Sequence, residues 1–144
     1  VEDLTEYMKE QGWTVGRERM QEGMNGYASG PRKHIALSDS ISPAQSAKTM
    51  IHEVCHYVLG HTEEECDYVA HRGTCEVEAE SAAYVALGIL GLDSADYSAG
   101  YITGWAERAD ADVMRETAKR VLNAAHRISE ILSPAPAAAH ELAA

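Results

Sequence analysis

The chain has 144 residues, 45% of them hydrophobic, and a net charge of −11. This size suits one compact domain with its own core, and the negative surface makes nucleic-acid binding by this chain alone unexpected. Three cysteines without close pairing do not form a disulfide framework, and no apolar run approaches the length of a membrane span, so we expect a soluble, cytoplasmic protein.

The first predicted element is a short amphipathic helix in the segment EDLTEYMKEQGW, which ends near Gly12. Because the chain opens on Val1 rather than on methionine, we expect either a processed protein or part of a longer one. Glycine-rich turns follow at 23–31. A short strand is then predicted from about Lys33 to Leu37, and it is the only good strand before the next helix.

That next helix has strong signals at both of its ends. Ser42 can cap it, Pro43 fits its first turn, Gln45 completes a capping box, and Gly60 is a natural terminator. At 100° per residue, one apolar stripe is predicted to face the core. The stripe consists of Ala44, Ala47, Ile51, Val54 and Val58. Cys55 falls on this apolar side, which indicates core packing.

The second half of the chain is predicted to be helical after a polar loop at 61–73. One helix spans about 74–91, and the region 98–132 gives a short helix followed by a long one. The long helix carries an ordinary apolar stripe of Met114, Ala118, Val121, Leu122, Ala125, Ile128 and Leu132. We therefore expect a single domain over residues 1–132 and a flexible, low-complexity tail at 133–144.

The segment TMIHEVCHYVLGH, residues 49–61, carries the chemistry. His52 and His56 are one helical turn apart, so both imidazoles can reach one ion, while Glu53 points from a neighbouring angle. In this arrangement the ion acidifies and polarises a water and the glutamate takes its proton. A metzincin would need a further histidine six residues after His56, where the chain has Thr62, so that class is excluded.

The remaining source of a third ligand is an acid on the following helix, where the segment CEVEAESAAYVALGILG supplies three glutamates. Glu76 and Glu80 share the apolar face of this helix, whereas Glu78 points to the opposite side. Two carboxylates on an apolar face are costly to bury unless a positive group meets them. We predict Glu76 as the third metal ligand and Glu80 as an acceptor from a ligating histidine N–H, with the reverse assignment left open.

The set His52, Glu53, His56 and Glu76 resembles that of gluzincins, and more closely that of ImmA/IrrE-type zinc metallopeptidases and the metallopeptidase domain of ArdC-like antirestriction proteins. The resemblance covers about residues 24–132. It is carried by HIALSDSISPAQSAKTMIHEVCHYVLGH, then EVEAESAAYVALGILGL, then YITGW. Two departures stand out: Glu80 occupies a position usually held by Asn or Asp, and no helix-turn-helix or single-strand DNA-binding domain is found.

The resemblance implies an α+β fold, a minimal zincin-like domain in which a small antiparallel or mixed sheet packs on the metal-binding helix, with the ligand helix and C-terminal helices behind. It also implies one Zn²⁺ and a narrow protein substrate, such as a transcriptional repressor, rather than general digestion. We thus expect a zinc-dependent metallopeptidase with Glu53 as the base and later proton donor.

Several other polar residues are candidates for a role. A second metal site is conceivable from His61, Cys66, His71 and Cys75, but these residues straddle an acidic loop without a paired C-x-x-C geometry. His71 is predicted instead to lie near the active site and to stabilise the transition state. The tyrosines at 57, 84 and 101 could do the same, although packing between helices is the commoner role for buried tyrosines. Tyr101 is also one turn from Trp105, and this pair is predicted to pack the short helix onto the core.

Two alternatives from other functional classes compete with the peptidase. One is an antirestriction or DNA-mimic binding module with a structural zinc, suggested by the acidic composition. The other is a catalytically silent, metal-organised interaction domain. For the peptidase, we expect an extended substrate to add to the sheet edge formed by Lys33 to Leu37, and the acidic 62–67 loop to select a basic segment.

Overall fold

The computed structural model describes residues 1–92 and 110–133, and within them the chain is an α+β protein, as expected. Its helices are α1 (Glu2–Glu10), α2 (Pro43–Val58), α3 (Arg72–Ile89) and α4 (Ala111–Leu132), and its strands are β1 (Thr14–Glu18), β2 (Gly26–Ser29) and β3 (His34–Ser38). None of these helices is long and apolar enough to cross a membrane. The predicted short helix with Tyr101 and Trp105, and the tail from 134 onward, lie outside the described residues.

The sheet is mixed and has three strands in the order β1-β3-β2, with β1 parallel and β2 antiparallel to β3. The predicted strand therefore exists as β3, but the expectation that it forms a sheet edge is wrong. Sequence reasoning did not find β1 and β2, which flank it on both sides. Ile35, Ala36 and Leu37 of β3 are fully buried, as a central strand requires, and the edge beside α2 is β2.

The ends of α2 follow the predicted signals. Ser42 accepts a hydrogen bond from the Gln45 N–H at 3.1 Å, with Pro43 as the first helical residue. The capping box is only half made, because the Gln45 side chain donates to Thr49 instead. Gly60, at φ +81°, ends the helix in a left-handed turn that an L side chain adopts only at a cost.

The buried face of α2 is wider than the predicted stripe and is rotated from it. Ala44 is exposed and Val58 is half-buried, whereas Ser46 and Met50 are buried. The sheet covers α2 on one side and α3 covers it on another, so more than one stripe of its surface is enclosed. Cys55 is fully buried, as predicted.

Helix α3 packs on both α2 and α4 through a face of small side chains. This face consists of Ala79, Ala82, Ala83 and Ala86, all fully buried. The buried stripe of α4 is Thr117, Val121, Ala124, Ala125 and Ile128. The predicted stripe was too broad, since Met114, Ala118 and Leu122 are exposed. Against the alanine surface of α3, a narrow row of mainly small side chains is enough for α4 to pack.

Candidate metal centre

The two motif histidines converge at the cleft side of α2. Nε2 of His52 lies 3.1 Å from Nε2 of His56, and each of these nitrogens lies 3.3 Å from one carboxylate oxygen of Glu76 on α3. The three donor groups come within 4.8 Å of one another when each contributes a single atom. Among the described residues they are the one group of three donors close enough to hold an ion.

The spacing of these donors fits a metal ion. Donors bound at about 2.0 Å to a tetrahedral ion lie about 3.3 Å apart, which is close to the separations among His52, His56 and Glu76. Two imidazole nitrogens that face each other with lone pairs repel unless a proton or a cation lies between them. The chemistry of the set, two imidazoles and a carboxylate, is one that zinc accepts.

The charge around the site also favours a cation. Burial alone would lower the pKa of His52, but the Glu76 and Glu80 carboxylates outweigh it and raise the pKa to about 10. Burial disfavours the Glu76 carboxylate, yet hydrogen bonds from His52, His56 and Tyr68 hold its pKa well below the usual range. Burial lowers the pKa of His56, which keeps that imidazole neutral. The carboxylates thus stabilise positive charge at this position, which a metal ion would supply.

Glu53 lies beside this donor set and is buried. It lines both of the cavities that meet at His52. Burial raises its pKa to about 7, although the nearby His52 opposes the shift. A carboxylate with a pKa near neutrality is suited to accept and return a proton.

The rear nitrogens of the two histidines meet different groups. Nδ1 of His52 lies 3.0 Å from Oε2 of Glu80, although the two are not aligned as a hydrogen bond. Nδ1 of His56 lies 2.9 Å from Nδ1 of His61, whose other nitrogen is 3.1 Å from Oε1 of Glu78. The predicted neighbours Glu76 and Glu80 are therefore brought to the site, with Glu76 at the converging nitrogens and Glu80 behind them.

Sequence reasoning missed the group behind His56. His61 and Glu78 are both buried, and Nε of Arg120 on α4 donates to Oε2 of Glu78 at 2.7 Å. Glu78 does point away from the three donors, as the helical wheel predicted, but it points into the protein rather than to solvent. The available signal was the same rule applied to Glu76 and Glu80: a carboxylate on a buried part of a helix needs a positive or hydrogen-bonding partner.

A cleft of about 810 Å³ opens in front of the donors. Its walls are β2 with the turns around it, the 61–69 segment and the start of α3. The two walls meet tightly at Gly30, where a Cβ would lie 1.9 Å from the Thr62 carbonyl oxygen. A smaller cavity of about 300 Å³ continues on the far side of His52, towards Gln45 and Lys48.

Tyr68 is a cleft residue that the sequence did not single out. Its hydroxyl donates to Oε1 of Glu76, and its ring packs edge-on against His56 with centroids 5.9 Å apart. His71, which was predicted to lie near the active site, is instead exposed at the N-terminus of α3 and is not among the cleft residues. Tyr57 packs against Trp13 and Tyr7, also away from the cleft.

The cysteines do not form a second donor group with His61 and His71. Cys66 and Cys75 are free thiols, and burial together with a hydrogen bond to Cys66 raises the pKa of Cys75 to about 12. Among the residues that the structure describes, none of these four side chains belongs to a group of three donors close enough to share an ion. His61 is already engaged by His56 and Glu78.

The profile of the IrrE N-terminal-like domain, Peptidase_M78, matches residues 8–87, which is more than half of the chain. The matched region contains β1 to β3, α2 and the part of α3 that carries Glu76. Neither a curated protein nor a solved structure matches the chain. With the profile spanning both halves of the candidate metal centre, the chain belongs to the family of the IrrE N-terminal-like domain, a family of metallopeptidases.

Proposed function

We propose that this chain is a zinc-dependent peptidase that hydrolyses a peptide bond in a narrow, regulatory protein substrate. The observation that carries the proposal is the convergence of His52, His56 and Glu76 beside the buried carboxylate of Glu53, at the floor of an open cleft. Membership of a metallopeptidase family supports it independently. A transcriptional repressor remains the substrate class that the ImmA/IrrE resemblance implies.

His52, His56 and Glu76 would hold the ion, through Nε2 of each imidazole and the Glu76 carboxylate. When bound, zinc supplies Lewis-acid polarisation of the scissile carbonyl and lowers the pKa of a water. Glu80 behind His52 would keep the imidazole oriented. The reverse assignment, with Glu80 as ligand, is less favoured because only Glu76 faces the Nε2 atoms of both histidines.

Glu53 acts as the base and then as the acid. Its carboxylate takes a proton from the attacking water and returns it to the amine of the leaving peptide. Burial supports this role, because a desolvated carboxylate holds a proton more readily than one in water. Glu53 does not belong to the donor group, so it can exchange protons without releasing the ion.

Tyr68 is the residue we propose for transition-state stabilisation, in the place that His71 was predicted to occupy. Its hydroxyl lies at the donor set and lines the cleft. A phenol O–H can turn from Glu76 to the oxygen on which negative charge develops. Tyr68→Phe should lower kcat about 100-fold with little loss of zinc. If zinc content falls as much as kcat does, Tyr68 has a role in metal binding instead.

Strand β2 is the edge on which we propose that the substrate lies. Among the described strands it pairs with β3 alone, and all four of its residues line the cleft. Its free edge can bind an extended peptide through backbone hydrogen bonds. The opposite wall carries Glu63, Glu64 and Asp67, which favour a basic substrate segment. A proline at the β2 position whose N–H points away from β3 should raise KM and leave zinc content unchanged.

The decisive experiment compares the wild-type chain with Glu53→Gln. Both are loaded with zinc, their metal content is measured by mass spectrometry, and both are incubated with a proteome-derived peptide library. We expect one zinc in each protein and new peptide termini only with wild type. Equal cleavage by Glu53→Gln would refute the role of Glu53. Restriction-enzyme inhibition that survives Glu53→Gln, with no cleavage by either protein, would select the DNA-mimic module.

A further inference from the structure

Behind His56 lies a continuous series of polar side chains that none of the proposed catalytic steps uses. From Nδ1 of His56 it passes to Nδ1 of His61 at 2.9 Å and from Nε2 of His61 to Oε1 of Glu78 at 3.1 Å. It ends at Arg120, whose Nε donates to Oε2 of Glu78 at 2.7 Å. His61 and Glu78 have side chains only 2% and 7% exposed, so water does not compete for these hydrogen bonds.

The Glu78 end of the series fixes the direction of its hydrogen bonds. An ionised carboxylate only accepts, so Nε2 of His61 must donate to Glu78. The Arg120 guanidinium is positively charged, and it neutralises the buried carboxylate that it contacts. Nη2 of Arg120 also donates to the carbonyl of Leu59 at 2.9 Å, a group that the end of α2 leaves without a helical partner.

A bound ion would fix the other end of the series. The two Nδ1 atoms can form a hydrogen bond only if one carries the proton and the other a lone pair. If Nε2 of His56 binds zinc, its lone pair is used there, and Nδ1 of His56 must carry the proton. His61 then accepts at Nδ1 and donates at Nε2, which agrees with the demand made by Glu78.

We propose that His61, held by Glu78 and Arg120, is a positioning residue that accepts the Nδ1–H of His56 and so directs Nε2 of His56 to the metal. The proposal rests on the proposed function, because it takes His56 to be a ligand. It assigns the support of one ligand to a histidine relay spanning α2, α3 and α4, rather than to a single carboxylate.

The backbone explains how His61 reaches this place. After α2 ends, the N–H of Gly60 donates to the Tyr57 carbonyl at 3.0 Å and the N–H of His61 donates to the His56 carbonyl at 2.9 Å. These two bonds form a Schellman motif, which requires the positive φ that Gly60 adopts. The same turn that terminates the helix therefore brings the His61 backbone, and with it the imidazole, back to His56.

The test uses the full chain and measures zinc affinity by competition with a chromophoric chelator. His61→Leu removes the acceptor, and we expect it to weaken zinc binding about 10- to 100-fold. His61→Gln should recover most of the affinity, since its carbonyl can accept from His56 and its amide can donate to Glu78. The matched control is His34→Leu, because His34 also contacts a carboxylate, Glu18, but on the sheet away from the donors; its affinity should be unchanged.

A second measurement on wild type keeps the proposal falsifiable if His61→Leu does not fold. Imidazole ¹⁵N shifts of the zinc-loaded protein should show His56 protonated only at Nδ1 and His61 only at Nε2. An unprotonated Nδ1 of His56, or a doubly protonated His61, would overturn the proposal. So would wild-type affinity in a folded His61→Leu, or equal losses in His61→Leu and His61→Gln.

Failure of the proposed function gives a different pattern. If His56→Ala binds zinc as tightly as wild type, His56 is not a ligand, and both the metal assignment and this inference are wrong. If His56→Ala loses zinc while His61→Leu keeps it, only the positioning role of His61 is wrong. If the zinc affinities of His56→Ala and His61→Leu are as expected but the wild-type protein cleaves no peptide, the peptidase proposal is wrong and the positioning role of His61 is supported.

Discussion

The two histidines of the motif lie one turn apart on the same helix, yet they differ in how far they are buried and in which groups lie behind them. His52 lines both cavities, with its side chain 17% exposed and the Glu80 side chain, 25% exposed, behind it. His56 is 7% exposed and backs onto an interior relay that ends at α4. The two histidines of one motif therefore have different environments. Changes behind His52 should affect mainly the metal, while changes behind His56 should affect the metal and the fold together.

The largest effect should come from removing Glu76, the proposed ligand that contacts both histidines. Glu76→Ala should weaken zinc binding by about 1000-fold, or about 4 kcal/mol, because one of the three proposed ligands is lost. Glu80→Ala, which acts only behind His52, should cost about 10- to 100-fold. Zinc content and competition titrations check both values. Undiminished zinc in Glu76→Ala with loss in Glu80→Ala would reverse the assignment of ligand and supporting acid.

The comparison is sharpened by stability measurements on the metal-free protein. Glu78→Ala should lower the free energy of unfolding by about 1–3 kcal/mol, because His61 is left buried without its acceptor. Glu80→Ala should cost less than about 1 kcal/mol, since its carboxylate is partly exposed to water. Urea unfolding in the presence of a chelator gives both numbers. Equal costs would mean that the two sides of the site contribute alike to the fold.

The smallest expected effect comes from replacing two glycines that have positive φ. Their comparison separates the loss of stability caused by backbone strain from an effect on zinc binding. Gly60→Ala and Gly12→Ala each place a side chain at φ near +80°, and each should cost about 1 kcal/mol of stability. Neither position lacks space, because a Cβ at Gly60 meets nothing closer than 3.9 Å and one at Gly12 meets nothing within 4 Å. Only Gly60→Ala should also weaken zinc binding, through His61. Equal zinc affinities in the two variants would contradict a link between this turn and the metal.

The sequence predicted the part of the site that depends on helical periodicity. His52, His56, Glu76 and Glu80 follow from residues three and four apart on helices, a spacing that geometry fixes without knowledge of the fold. Tyr68 was missed because it lies in an irregular segment, where sequence gives no direction for a side chain. His71 was misplaced for the same reason. Glu78 was missed because its partners, His61 and Arg120, are 17 and 42 residues away.

The sheet was only partly predictable. Strand β3 was found because its core, IAL, is continuously apolar and fully buried. Strands β1 and β2, TVGRE and GYAS, each contain a glycine and show no clean alternation, so their pairing with β3 decides their structure. Without them, β3 was taken for an edge, and the predicted substrate strand was displaced by one position in the sheet. A proline in β3 would break the central ladder instead of testing substrate binding.

Arg120 sets a practical limit on how this metal centre can be transplanted. It lies 33 residues beyond the region that the family profile matches, yet it neutralises Glu78 and donates to the carbonyl of Leu59, directly after α2. A fragment cut to residues 1–92 would keep the three donors and Glu53, but the buried carboxylate of Glu78 would lose its guanidinium partner. A minimal fragment, or a graft onto another scaffold, must therefore include α4, although none of the three donor residues lies on that helix.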